Sequence, residues 1–256
     1  MRILLTNDDG AHAPGLKLLE TIAARFSDDV WVVAPETDQS GVSHSFSLSS
    51  PLRLREIGPR HFAVQGTPTD CVLMALKKVM ADKRPDLILS GVNRGQNVAE
   101  DVTYSGTIAA AMEGALLGLP SIALSQSYGG VETRDHPYWD SAETHAAVVI
   151  EKILAAGIPE GVLVNVNFPN CPGAEVKGYE VTSQGRRDSD IIRIEQRRDG
   201  RAIPYYWLMF QKPQFSPNEG TDLAALAAGK VSITPLKLDL TEHAVRLRYA
   251  EAFASR

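Results

Sequence analysis

The sequence contains little cysteine and no paired cysteine motif. Only Cys71 and Cys171 occur in 256 residues, and neither belongs to a C-x-x-C pattern. Disulfide frameworks and zinc fingers need several closely spaced cysteines, so both classes are excluded. A chain of this length buries enough apolar surface to fold without such cross-links. Because free thiols are typical of a reducing compartment, we expect a cytoplasmic protein.

Long apolar runs and an excess of basic charge are also lacking. Only Ile3, Leu4 and Leu5 separate Arg2 from Thr6, so we expect no signal peptide. The uncharged stretch 114–131 is interrupted by proline, glutamine and several serines, which excludes a membrane span. A net charge of -5 and a pI near 5.7 argue against a dedicated nucleic-acid-binding protein, which is normally basic.

Strand and helix patterns alternate over the first two-thirds of the chain. Short, continuous apolar runs predict strands covered on both faces, at residues 3–5, 30–34, 87–89, 122–124 and 162–164. Helical periodicity or composition lies between them, at residues 14–26, 67–80, 107–117 and 142–155. Thr67-Pro68-Thr69-Asp70 has the form of an N-cap followed by a first turn. We predict an α/β fold with a Rossmann-like, doubly wound, mostly parallel sheet over residues 1–175.

The pattern changes in residues 176–256. Arginines and isoleucines mix between 186 and 201, and an aromatic run at 204–210 begins with Pro204. This pattern predicts a β-hairpin arm that is too apolar to stand alone in water, followed by a short helix at 222–228 and a returning strand at 231–234. We therefore expect an oligomerisation arm.

An acidic pair follows the first predicted strand, in Asn7-Asp8-Asp9-Gly10. Ligands bind at the carboxyl ends of strands in open parallel sheets, so this position favours a functional site. Two adjacent carboxylates repel each other and lose hydration there unless a cation compensates them. The alternative is an ordinary turn or helix cap, for which Asn, Asp and Gly are common residues.

Two more polar segments are predicted at the same sheet edge. The first, 90–97, follows an apolar strand and offers the amides of Asn93 and Asn97; the alternative is a loop without a ligand. The second, Tyr104-Ser105-Gly106-Thr107, opens a helix, where backbone N–H groups suit a phosphate. Simple N-capping by a hydroxyl is the alternative there.

The loop after the second strand contains Gln39-Ser40-Gly41-Val42-Ser43-His44-Ser45. Taken alone it is typical of a flexible linker, although Ser40 or His44 could reach the same sheet edge. His12 lies near the acidic pair in sequence. Single histidines are more often surface or packing residues, so neither is assigned a role.

The candidate ligands are all oxygen donors, and no Cys/His cluster has zinc spacing. Such a set prefers Mg2+ or Mn2+. Two carboxylates would balance one divalent ion, whose open positions would take water and a phosphate oxygen. No G-x-x-x-x-G-K-[ST] motif occurs, so the phosphate site is not a P-loop. The residues alone predict a metal-dependent phosphoryl hydrolase.

The chain resembles the SurE family in four segments that occur in the expected order. They are the opening from Arg2 to Gly10 with Ala13-Pro14-Gly15, the segment from Gly66 to Val72, the run from Ser90 to Asn97 continued by Asp101 and Tyr104 to Glu113, and the segment from Val231 to Leu236. Several separate segments match, which makes the resemblance specific and extends it over nearly the whole chain.

The resemblance implies a Rossmann-like domain and a homodimer or homotetramer with exchanged C-terminal arms. It implies phosphomonoesterase action on nucleoside 5′- and 3′-monophosphates, with trimming of short polyphosphate. By position, the metal ligands would be Asp8, Asp9, Ser40 and Asn93. Asn97, Ser105, Gly106 and Thr107 would line the phosphate site.

Several readings stay open at this stage. Asp8 would orient a metal-activated water or attack phosphorus itself, and the absence of D-x-D-x-[TV] favours water. A non-catalytic metal or nucleotide sensor would use the same cleft. An RNA-binding protein would use the arginines of 186–201, although four acidic residues offset them. A Rossmann dehydrogenase would need a G-x-G-x-x-G after the first strand, which this chain lacks.

Overall fold

The structure is a computed structural model that describes residues 1–129, 136–187, 192–210 and 217–254. Its strands are β1 (Arg2–Thr6), β2 (Asp29–Pro35), β3 (Arg53–Gly58), β4 (His61–Gln65), β5 (Leu87–Arg94), β6 (Ser121–Gln126), β7 (Val162–Phe168), β8 (Tyr179–Val181), β9 (Ile192–Arg198), β10 (Pro204–Phe210) and β11 (Val231–Lys237). Its α-helices are α1 (Pro14–Ala23), α2 (Pro68–Met74), α3 (Asp101–Tyr104), α4 (Gly106–Leu116), α5 (Trp139–Ala156), α6 (Asp222–Ala227) and α7 (His243–Ala254).

Nine strands form one mixed, mostly parallel sheet in the order β3-β4-β2-β1-β5-β6-β7-β11-β8. Two pairings are antiparallel, β3 with β4 and β11 with β7. The central strands consist largely of buried residues, most of them apolar, because helices cover both of their faces. The predicted Rossmann-like α/β fold is confirmed.

Alternate residues of the central strands point into two separate cores. Leu5 and Leu89 pack with α1 and α5 on one side of the sheet, whereas Leu4 and Ile88 pack with α2 and α4 on the other. The side chains of a strand alternate between its two faces. We therefore expect the side chains of the residues that follow β1 to lie on alternate sides of the sheet as well.

The chain reverses its direction across the sheet between β1 and β5. From β1 it proceeds through β2 to the edge hairpin β3–β4, then returns to place β5 on the other side of β1. In open α/β sheets the ligand site lies at such a switch point, outside the carboxyl ends of the strands. The segments that follow β1 and β5 therefore meet at the expected place for a site.

The five strands predicted in the first two-thirds of the chain are all present, and each extends beyond its predicted run. The helix predicted over 67–80 begins as expected, because Thr67 and Asp70 form a reciprocal capping box. Its α-helical part ends at Met74, and a π-helical turn (Ala75–Val79) continues it. The edge hairpin β3–β4 and the exposed helix α7 were not predicted.

The predicted arm contains the antiparallel hairpin β9–β10. Its flanking residues 188–191 and 211–216 lie outside the described residues. Beyond the hairpin, β11 inserts between β7 and β8, so the C-terminal part completes the main sheet. None of the described helices combines the length and apolar character needed to cross a bilayer.

Candidate functional site

Asp8 lies at the end of β1, buried against the start of α4. The Thr107 hydroxyl donates to its Oδ1 at 2.5 Å. A side chain at Gly106 would place Cβ 2.8 Å from Asp8 Cβ and 3.0 Å from Oδ2. The absence of a side chain at Gly106 therefore allows helix and carboxylate to approach this closely.

The Asp8 carboxylate is only 4% exposed and lies beside a second carboxylate. Burial raises its pKa to about 7, and the charge of Asp9 raises it as well. The hydroxyl and the backbone N–H of Thr107 oppose this rise. The fold thus holds Asp8 where the ionised form is costly in the absence of a compensating cation.

Asp9 is oriented by the end of β5, since its Oδ2 accepts a hydrogen bond from the backbone N–H of Arg94 at 3.0 Å. This contact brings Asn93 to the acidic pair. The Asn93 amide nitrogen donates to the carbonyl oxygen of Gly95 at 2.8 Å. This bond fixes the orientation of the Asn93 amide oxygen. The structure therefore brings the loop after β1 and the end of β5 together.

The expectation that residues 90–97 form a loop was partly wrong. Residues up to Arg94 belong to β5, which pairs with β6 again at Asn93 and Ser125 after a register shift that begins at Ser90. The strand continues because Arg94 still pairs with Gln126 on β6. Asn93 consequently stands on a strand, where its position is better defined than it would be in a loop.

Ser40 lies on the exposed loop after β2, next to a residue that contacts Asp8. The backbone N–H of Gln39 donates to the carbonyl oxygen of Asp8 at 2.8 Å. The backbone N–H of Ser40 donates to Asp38 Oδ1 at 2.7 Å, and Ser40 itself is exposed. Asp8, Asp9, Asn93 and Ser40 thus come from three segments that meet at one sheet edge.

The predicted phosphate segment lies at the start of α4. Ser105 is the N-cap, and its Oγ accepts from the backbone N–H of Ile108 at 3.1 Å. Ser105 therefore caps the helix, which is the simpler interpretation. Because its hydroxyl oxygen is the acceptor in this bond, its hydroxyl hydrogen can still be donated. The Thr107 hydroxyl donates to Asp8, and the predicted contact of Thr107 with phosphate stays a prediction.

Asn97 is anchored inside the protein rather than aimed at the acidic pair. Its side-chain nitrogen donates to the Ser125 hydroxyl at 2.9 Å, and its backbone N–H to Asn167 Oδ1 at 2.8 Å. Its carbonyl oxygen accepts from the amides of Asn165 and Asn167. These hydrogen bonds fix the chain as it leaves β5. The predicted contact of Asn97 with phosphate would therefore have to use atoms of Asn97 that these hydrogen bonds do not occupy.

The two histidines considered in the sequence have separate environments. His12 is exposed and lines a surface cavity of about 390 Å³ with Lys17 and His61. His44 Nε2 lies 3.0 Å from Glu113 Oε2 on α4.

The sequence did not identify Glu113 or Asp70 as partners of the loop after β2, because 69 and 23 positions separate them from the residues they contact.

The arginines of 186–201 divide between two structures. On the hairpin, Glu195 pairs with both Arg193 and Arg197, which offsets their charge. Arg187 is buried instead, and its guanidinium makes two hydrogen bonds to Asp101, at 2.9 and 2.7 Å. It also contacts Glu100 at 3.2 Å, so it ties the base of the arm to α3.

Replacement of Arg187 by Met is expected to lower the free energy of unfolding by about 3–5 kcal/mol, because it leaves a buried carboxylate unpaired. Urea denaturation would measure this loss. The matched control is Arg193→Met on the hairpin, where the exposed pair with Glu195 contributes less than about 1 kcal/mol. Equal losses in the two variants would contradict the inferred role of Arg187 as a stabilising buried contact between the arm and α3.

The candidate metal site does not depend on a cluster of acidic, histidine and cysteine side chains. Within the described ranges, no group of three or more such residues converges. The candidate set needs only two carboxylates and completes them with a hydroxyl and an amide oxygen. That composition suits a hard divalent cation and not zinc.

Comparison with known proteins identifies close relatives. The family model described as "Survival protein SurE" matches residues 3–190. The chain is 62% identical to "5'-nucleotidase SurE" of Rhodopseudomonas palustris (strain TIE-1), covering 99% of this chain and 100% of the relative. It is 60% identical to the protein of that name from Methylorubrum extorquens (strain PA1), covering 99% of both. The crystal structure of the SurE protein from Aquifex aeolicus matches with a TM-score of 0.83 at 40% identity, covering 98% of this chain and all of that one.

Proposed function

The chain belongs to the SurE family, and on that premise we propose that it is a phosphomonoesterase that hydrolyses nucleoside 5′- and 3′-monophosphates. The proposal includes one divalent metal ion, Mg2+ or Mn2+, and short-chain polyphosphate as a further substrate. Relatives named 5'-nucleotidase at 60–62% identity support the 5′ activity. The two free cysteines, Cys71 and Cys171, support our proposal of a cytoplasmic enzyme, because free thiols are typical of a reducing compartment.

One observation carries the proposal: a carboxylate pair, of which Asp8 is buried and Asp9 half-buried, lies beside a helix N-terminus at the switch point of the sheet. A helix N-terminus attracts an anion, whereas Asp8 and Asp9 would repel it. The two features suit the same ligand only when a cation lies between carboxylates and phosphate. The raised pKa of Asp8, caused by burial and then by Asp9, supports the same requirement.

The proposed metal ligands are Asp8, Asp9, Ser40 and Asn93. A divalent ion held there would lower the pKa of a water molecule and neutralise charge on the phosphoryl group. Thr107 keeps Asp8 Oδ1 in a fixed orientation, and Arg94 does so for Asp9. These contacts favour fixed ligands over a mobile nucleophile, so we propose attack by water rather than by Asp8.

The start of α4 is the proposed site for the phosphoryl oxygens. Backbone N–H groups in the first turn of a helix point outward along its axis and lack helical acceptors. Ser105 adds a hydroxyl hydrogen, and the absence of a side chain at Gly106 lets this helix start lie against Asp8. Charge that develops on phosphoryl oxygens during hydrolysis would be stabilised by donors that are already in place.

Metal dependence is expected to be absolute. Protein stripped of metal with a chelator should release no phosphate from a nucleoside 5′-monophosphate, and addition of Mn2+ or Mg2+ should restore release. Circular dichroism before and after stripping controls for unfolding. Folded protein that binds Mn2+ but stays inactive on 5′- and 3′-monophosphates and on polyphosphate would favour the sensor reading.

We also propose a homodimer or homotetramer that buries the hairpin. One face of β9–β10 carries Ile194, Tyr206 and Leu208, all exposed in the single chain. Helix α7 has no buried residue, and Phe253 on it is exposed. Exposed apolar surface of this extent is typical of a protein–protein interface. Sedimentation velocity is expected to show a dimer or tetramer, and a monomer at micromolar concentration would contradict the proposal.

A further inference from the structure

Residues 42–47, which we call the strap, follow Ser40 and are bonded to three helices in turn. The backbone N–H of Ser43 donates to the carbonyl oxygen of Tyr104 at 3.0 Å, and its hydroxyl to that of Thr103 at 2.6 Å. The Thr67 hydroxyl donates to the carbonyl oxygen of Ser45 at 2.7 Å. The strap therefore crosses the ends of α2, α3 and α4, beside the proposed phosphate site.

Asp70 anchors one end of the strap. Its Oδ1 accepts from the backbone N–H of Ser47 at 2.9 Å, and its Oδ2 from the Ser47 hydroxyl at 2.8 Å. The same Oδ2 accepts from the backbone N–H of Thr67 at 2.9 Å. At 1% exposure, Asp70 is a buried carboxylate satisfied by these donors, so it links the strap to the α2 cap.

Glu113 provides the second anchor, about two turns after the start of α4. Its Oε2 accepts from His44 Nε2 at 3.0 Å, and its side chain is 13% exposed. A hydrogen bond to a partly desolvated carboxylate is stronger than one at the open surface. This pair connects the strap to the helix whose first turn holds Asp8.

Apolar packing contributes little to the strap's position. Phe46 is 53% exposed, and Leu48, directly after the strap, is 85% exposed. The order of the segment therefore depends on the polar contacts. Because Gln39 is bonded to Asp8 and the strap is bonded to Asp70 and Glu113, Ser40 lies between two fixed points.

We propose that Asp70 and Glu113 are positioning residues that hold the strap and thereby keep Ser40 beside Asp8. This role rests on the proposed function, in which Ser40 is a metal ligand. Neither carboxylate touches the reacting atoms. Residues that orient metal ligands typically change metal affinity by about 10–100-fold when they are removed.

The test uses the full-length protein and Mn2+ as the probe. In Glu113→Ala and Ser47→Ala, the Mn2+ dissociation constant from calorimetry should rise about 10-fold. Activity on a nucleoside 5′-monophosphate should return at saturating Mn2+. Ser47→Ala leaves the bond between Asp70 and Thr67 intact, so the α2 cap is preserved. Glu113→Gln retains an acceptor for His44 and should restore near wild-type affinity.

The matched control is Glu20→Ala, which removes another helix carboxylate paired with a histidine, His61, at 2.8 Å. It should leave Mn2+ affinity unchanged. Amide hydrogen exchange of residues 37–52 should accelerate in Glu113→Ala and Ser47→Ala and not in the control. Unchanged Mn2+ affinity in both strap variants, unchanged exchange, or an equal loss of affinity in Glu20→Ala would overturn the proposal. Failure of the proposed function would differ, because wild-type protein itself would release no phosphate at saturating Mn2+.

Discussion

Replacement of Asp8 by Asn is expected to abolish turnover and to stabilise the metal-free protein at the same time. Loss of a charged metal ligand should reduce kcat by at least about 1,000-fold, as removal of central catalytic groups does in other hydrolases. The amide has the size of the carboxylate it replaces, so the packing against Gly106 is retained. Phosphate release in saturating Mn2+ measures the first effect.

The expected gain in stability follows from the pKa of Asp8. A rise from 3.8 to about 7, caused by burial and then by Asp9, corresponds to about 4 kcal/mol at about 1.4 kcal/mol per pH unit. Folded protein binds more protons than unfolded protein between these pH values. The stability of metal-free wild type should therefore decrease as pH rises from about 4 to about 7 and stay low above that range.

The Asn variant lacks this titration, so its stability should not show that decrease. At pH 8 without metal it should exceed wild type by about 1–3 kcal/mol, because a buried amide still carries its own desolvation cost. The control Asp28→Asn, at an exposed residue, should match wild type in both activity and stability. Chemical denaturation over a range of pH, in the presence of a chelator, measures these stabilities. An Asp8→Asn variant that is less stable than wild type at pH 8 would contradict the electrostatic explanation.

The strands could be predicted from the sequence because each central strand is covered on both faces. Burial on two faces produces a continuous apolar run, as in β1, where Ile3, Leu4 and Leu5 are all fully buried. The edge hairpin β3–β4 gives no such run, since every residue of β3 is exposed or half-buried. Helix α7 was missed for the same reason, because its residues bury nothing in the single chain.

The position of the acidic pair could also be predicted, because it depends on local order along the chain. Asp8 and Asp9 follow a recognisable strand, and the switch-point rule gives their edge of the sheet. The contacts that orient them join distant positions. Thr107 is 99 residues from Asp8, and Arg94 is 85 residues from Asp9. A single sequence contains no periodicity or spacing that pairs such residues.

Several partners were missed because they act through nonlocal packing. Arg187 belongs to an arginine-rich stretch whose composition indicates a solvated hairpin, yet its own side chain is only 6% exposed. Asn165 and Asn167 lie two positions apart on β7, as residues that share one strand face do, and this alternation was a usable signal. This alternation does not predict which residue the two asparagines contact.

Replacement of Gly106 by Ala is expected to impair catalysis far more than folding. The added methyl would lie 2.8 Å from Asp8 Cβ and 3.0 Å from both Asp8 Oδ2 and Pro68 Cγ. Atoms at such distances must move apart, and the buried carboxylate is held on its other side by Thr107. A displacement of a ligand by about 1 Å can reduce the rate about 100-fold, so we expect kcat to fall by about that factor.

Two opposing contributions keep the effect on stability small. Ala favours a helical first turn over Gly by up to about 1 kcal/mol, whereas crowding of a packed site costs about 1–3 kcal/mol. The control Gly58→Ala places its methyl 3.7 Å from His61 Cβ, an ordinary contact, and should leave kcat unchanged. Steady-state kinetics and urea denaturation of both variants would test the argument. A Gly106→Ala enzyme within about threefold of wild-type kcat would show that the spacing between α4 and Asp8 does not limit the rate.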